Sequence, residues 1–229
     1  MTQRGPALLC GRNFRGRRSS RRWDFGFDRR HIKGVDTVAD SVELRAGALS
    51  MFFEGGDLRF VRAGRYEIAR RIFAALRDCN WGTPCGSISN LQIRTNTDSF
   101  RVTYVWRVIS GEIDFQWEAR ILGEPSGSVT FRIDGVARST FLRNRIGLNV
   151  LHPVDGCAGK KCRTRHVNGE IVETRFPVDI AARDVLDGFQ QMRGMTYDVA
   201  QWISADFEFE GDLFETTPVQ DVDGSTARQ

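Results

Sequence analysis

His152, Cys157, Cys162 and His166 are the densest group of metal-competent side chains in this sequence, spaced His-x4-Cys-x4-Cys-x3-His. Imidazole nitrogen and thiolate sulfur are ordinary zinc donors, and a turn from Gly156 to Lys161 could bring the two cysteines together. Lys160-Lys161 would set two cations beside that metal, which counts against it. The same two cysteines could instead close a disulfide across a hairpin, geometry permitting. The plainer reading, preferred here, is two buried thiols beside a turn. His152 and His166 could also work as general acid or base, because an unperturbed imidazole titrates near pH ~6.5. Neither has a Ser or Cys nucleophile in a local frame. No Gly-x-Ser-x-Gly, phosphate loop or dinucleotide fingerprint occurs, so no catalytic residue and no cofactor is assigned.

A second group suits binding rather than chemistry. Arg143-Asn144-Arg145 could hold a carboxylate or sugar hydroxyls through bidentate hydrogen bonds. Paired surface charges are the preferred alternative. Trp81, like Trp23 and Trp202, could stack on a sugar ring, although an isolated Trp in a β domain is usually core.

The elements that must position these residues read as antiparallel β. Phe100, Val102, Tyr104, Trp106 and Val108 alternate with Arg101, Thr103 and Arg107. After Ser110-Gly111, Ile113, Phe115, Trp117, Ala119 and Ile121 alternate with Asp114, Gln116, Glu118 and Arg120. A period of two, repeated across a tight turn, gives a strand pair with one buried face. Glu54-Gly55-Gly56-Asp57 and Asn168-Gly169 mark two further hairpins. Strands are also expected at Val129–Ile133, Arg145–Leu151 and Trp202–Glu210, with a loop over Asp78–Gly86. Tyr66–Leu76 is ambiguous, and periodicity alone leans to helix. About ten strands at this spacing predict a mainly β fold, an antiparallel sandwich.

Charge is distributed unevenly. Residues 1–33 carry nine Arg and one Lys against Asp24 and Asp28, whereas the other 196 residues hold 23 basic and 27 acidic side chains. The pI near 9.0 therefore belongs to the leader. A body of net negative charge makes nucleic acid an unlikely partner. Residues 1–38, centred on Arg15-Gly16-Arg17-Arg18-Ser19-Ser20-Arg21-Arg22, lack an apolar period and read as a disordered arm or a mis-called start. No apolar run approaches ~18 residues, so no membrane span is expected. Five cysteines form no disulfide framework, which points to a reduced, cytoplasmic setting.

From about Val42 to Glu215 the chain resembles the N-terminal β domain of the D-apionate lactonase-like family. Arg77-Asp78-Cys79-Asn80-Trp81-Gly82-Thr83 carries the resemblance, as do Phe141 to Pro153, Cys157-Ala158-Gly159, Arg175-Phe176-Pro177 and Phe209 to Glu215. It implies a hydrolase of sugar-acid catabolism that opens D-apionolactone to D-apionate, and hence a sugar lactone or sugar acid as ligand. It also implies a barrel-type domain downstream, on which the catalytic groups are expected. Tyr66–Leu76 becomes a strand by this analogy. The expected organisation is a leader over 1–38, a β sandwich over 39–215 and a tail over 216–229 where the resemblance stops, as in a truncated fragment that is inactive alone. A non-catalytic carbohydrate-binding or scaffold module is the alternative.

Overall fold

Alternation of apolar and polar residues builds two antiparallel sheets in a computed structural model that describes residues 6–12 (as backbone), 41–178 and 187–216. The strands are β1 (Pro6–Arg12), β2 (Val42–Ala46), β3 (Leu49–Glu54), β4 (Asp57–Ala63), β5 (Tyr66–Asp78), β6 (Gly86–Thr95) and β7 (Phe100–Ser110). They continue with β8 (Ile113–Gly123), β9 (Val129–Ala137), β10 (Arg143–Leu151), β11 (Lys161–His166), β12 (Ile171–Arg175), β13 (Met192–Ala200) and β14 (Ile203–Glu210). A single helical turn, α1 (Val154–Cys157), follows β10. One sheet runs β12-β11-β13-β14-β1-β9-β8-β7-β6, and the other β10-β5-β4-β3-β2. The core lies between them. No helix among the described residues is long and apolar enough to cross a membrane.

The β7–β8 pair has the expected register. Val102 faces Ile121, Trp106 faces Trp117 and Val108 faces Phe115, with the two indoles stacked 5.5 Å apart. On the wet face Arg107 grips Asp114 through two hydrogen bonds of 2.9 and 2.7 Å. Both hairpin turns also form as expected. Gly55 and Gly56 adopt φ of 57° and 95° between β3 and β4, a conformation open to glycine. The Tyr104 hydroxyl donates to the Gly56 carbonyl at 2.7 Å, tying that turn to the other sheet.

Tyr66–Asp78 is a strand over its full length, not a helix. It is hydrogen-bonded to β4 on one side and β10 on the other, so its apolar residues are set by two neighbours and by a register shift at Val61/Arg62. The described residues form fourteen strands, where about ten are expected from the sequence. β6 and β13 carry no clean alternation in sequence: β6 is a polar edge strand with a bulge between Ser89 and Gln92, and β13 contains Gly194. Within the expected leader, the backbone of Pro6–Arg12 runs as a strand paired with both β9 and β14. The rest of the leader and residues 217–229 lie outside the described residues.

Candidate binding surface

Four of the five sequence-selected binding residues meet at one end of the five-stranded sheet, and Asp78 organises them. It ends β5, and its Oδ1 accepts from the backbone N–H groups of Asn80 at 2.8 Å and Gly82 at 2.7 Å. The Trp81 N–H donates to the Asp78 carbonyl at 3.1 Å. This tight return forces Trp81 into the left-handed region, φ 65°, a conformation that strains a bulky residue. Gly82 completes the loop; a Cβ there would stand 2.6 Å from Asp78 Oδ2. The indole is thereby held out at 60% exposure, correcting the expectation of a core tryptophan. Trp202 departs from it further, at 85% exposed in the turn before β14. Trp23 lies outside the described residues.

β10 supplies the other half. Arg143 pairs with Asp78 and Arg145 with Arg77, so Asn144 is the extra residue of a β-bulge. A bulge re-aims side chains. Here it sends Asn144 Nδ2 to the Asp78 carbonyl at 2.8 Å and lets Arg145 reach outward. The Arg145 guanidinium lies 5.6 Å from the Trp81 ring centroid and forms an ion pair with Glu215. Arg77 donates to Thr83 Oγ1 across the same loop. Arg143, at the rim, donates to the Asn144 carbonyl at 3.3 Å. Asn144 thus serves the scaffold, while Trp81 and Arg145 face outward. Asp78 and Glu215 were missed as site residues. The Asp78-x-x-x-Gly82 spacing was a usable signal for the loop, but nothing local foretells that Glu215 reaches Arg145.

His152 does not join this surface. It is half-buried, with the Phe207, Phe176 and Tyr197 rings at centroid distances of 5.1, 5.6 and 5.7 Å. Burial pushes its imidazole pKa down to about 4, which leaves it neutral near pH 7. The Tyr197 hydroxyl donates to the Ile68 carbonyl at 2.8 Å, leaving its oxygen to accept from His152 Nδ1–H at 3.3 Å. Cys157 and Cys162 are buried, unpaired thiols, and desolvation raises both, Cys162 to about 12. His166 Nε2 is instead engaged with Thr164 Oγ1 at 3.1 Å and the Gly188 carbonyl at 3.3 Å. His152 and Cys157 both contact Tyr197 while His166 is tied to Thr164 and Gly188, and no three His, Cys, Asp or Glu among the described residues form a metal-holding group. A cavity between the sheets, lined by Leu49, Val61, Ile72, Phe131 and Phe207, is apolar and suits no sugar.

The surface is thus aromatic and charged, with the exposed thiol of Cys79 in the same loop. Residues 30–217 match the family described as D-apionate lactonase, N-terminal domain. The chain belongs to that family. It is also similar to the D-apionate lactonase of Brucella anthropi, with 32% identity over 183 residues. That alignment takes in 79% of this chain but 29% of the relative, so the chain spans under a third of the relative's length. No solved structure matches it. The loop at Asp78–Thr83, the β10 bulge and Glu215 all fall within the family match.

Proposed function

We propose that this chain is the β domain of a D-apionolactone-opening hydrolase and does not carry out that reaction alone. One observation carries the reading: Trp81, Arg145 and Glu215 converge on an accessible surface, whereas His152 lies apart from it, half-buried among aromatic rings. Opening a lactone needs an activated water or nucleophile and donors aimed at the developing oxyanion. Arg145 and Trp81 supply attraction for an anionic sugar acid or a ring face, and Glu215, the carboxylate beside them, is held in its ion pair with Arg145. Tens of cal/mol/Å² of ring contact and a charge-assisted hydrogen bond hold a ligand without lowering its barrier. The protein works in the cytoplasm on this reading, which agrees with the unpaired thiols at Cys79, Cys85, Cys157 and Cys162.

A second reading, a free-standing sugar-binding module, is favoured by the exposed Trp81 beside Arg145. Joining the chain to the remaining sequence of the Brucella anthropi relative and assaying D-apionolactone opening separates the two. Turnover by the joined protein supports the hydrolase domain. Sugar binding by the chain, with no turnover after joining, supports the module.

A further inference from the structure

We propose that the surface around Trp81 is the seat on which the rest of a D-apionate lactonase packs. The inference rests on the reading of this chain as one domain of such an enzyme. Trp81 is 60% exposed there, and Leu142 at 77% and Leu213 at 56% are exposed on the chain segments that lead into it. Leu142 immediately precedes β10 at Arg143, whose backbone pairs with Asp78, and Leu213 lies two residues before Glu215. The Arg145–Glu215 ion pair and the Trp81–Arg145 contact join these pieces into one patch.

Its construction suits protein contact. Trp and Arg at the centre, flanked by leucines, is the composition of an interface hot spot. The Asp78 loop fixes Trp81 before any partner arrives, which reduces the ordering cost of binding. Arg145 already stacks over the indole, so a sugar ring would have to share that surface with a guanidinium.

The direction of the polypeptide selects the occupant. The domain is the N-terminal one of its family, and the aligned segment is 29% of the Brucella anthropi protein. The remaining chain of that relative must leave its β domain from the end corresponding to Glu215. Here Glu215 is pinned to Arg145 in the middle of the patch. A domain that follows is therefore delivered beside Trp81, at the high local concentration a short tether gives. The partner surface should offer an apolar socket with an acceptor for the indole N–H.

Hydrogen exchange tests this on two intact proteins: the 229-residue chain, and a full-length chimera carrying residues 30–217 in place of the relative's aligned segment. The expected result is at least tenfold slower exchange at residues 79–83 and 142–145 in the chimera than in the chain, with no sugar added. In the chimera, the Trp81→Ser and Leu142→Ser changes should restore fast exchange and enlarge the radius of gyration. If the chimera is insoluble, co-purification of the tagged chain with the co-expressed remainder of the relative replaces it, and Trp81→Ser should abolish co-purification. Unchanged exchange at the patch, protection confined to another face, or protection only when D-apionolactone is added to the chain would overturn the proposal. Turnover in the same chimera is read separately. A turning-over chimera without protection removes the docking seat but keeps the hydrolase reading, and protection without turnover does the reverse.

Discussion

Replacing Asp57 with Asn should expose an acid instability that the parent chain conceals. Two half-buried groups titrate in opposite directions over the same pH range. The His152 pKa falls from 6.5 to about 4 on burial, so between those values the unfolded chain takes up a proton that the folded chain refuses. Its contribution to stability is present above pH 6.5 and is lost as the pH falls to 4. A shift of 2.5 units corresponds to about 3 kcal/mol. The Asp57 carboxyl moves the other way, from 3.8 to about 6: burial raises it against the pull of Arg71, whose Nε lies 2.7 Å from Oδ2. The folded chain therefore binds this proton first, and stability rises by about 3 kcal/mol as pH falls through 6 toward 3.8. The two contributions nearly cancel. In Asp57→Asn only the histidine remains, so stability relative to the parent should drop by about 3 kcal/mol between pH 7 and pH 4. Urea unfolding followed by tryptophan fluorescence at several pH values measures the difference, and carboxylates common to both proteins drop out. His152→Gln should show the opposite slope. If Asp57→Asn tracks the parent within about 1 kcal/mol across that range, Arg71 outweighs burial at Asp57 and the reasoning fails.

Gly123→Ala places a Cβ 2.1 Å from the Phe100 ring and 2.9 Å from Ala46 Cβ, both buried; a loss of about 1–3 kcal/mol in urea is expected. Trp81→Gly trades relief of the positive φ against loss of the Arg145 contact, so its thermal midpoint should barely move, a net effect within about 1 kcal/mol. Chelator should leave the midpoint unchanged, because Cys157 and Cys162 pack as buried thiols; unfolding on metal removal would restore the zinc reading.

The sequence was most readable where each strand had one wet face. Phe100–Ile121 alternates cleanly because β7 and β8 each bury one side, and the Asn168-Gly169 turn announced its hairpin through glycine's positive φ of 85°. Legibility failed where packing came from both sides or from neither. β5 lies between two strands, and its bulged register mimics a helical period. β6 is an edge with little to bury, so no clean alternation marks it. For the candidate surface, the structure brings Trp81, Asn144 and Arg145 together and leaves His152 apart from them. An imidazole announces chemistry in a sequence, and only the Phe176, Tyr197 and Phe207 rings around it reveal a packing role. Glu215 escaped notice because its partner, Arg145, is 70 positions away in sequence, and such pairs leave no local pattern.

The most direct test of the account is the initial rate of D-apionolactone opening by the purified 229-residue chain, measured against spontaneous hydrolysis in the same buffer near pH 7. The account predicts no acceleration above the uncatalysed rate, far short of the at least ~10⁶-fold typical of enzymes. Turnover by the isolated chain, lost on changing His152 or Arg145, would contradict it and place the active site within the β domain.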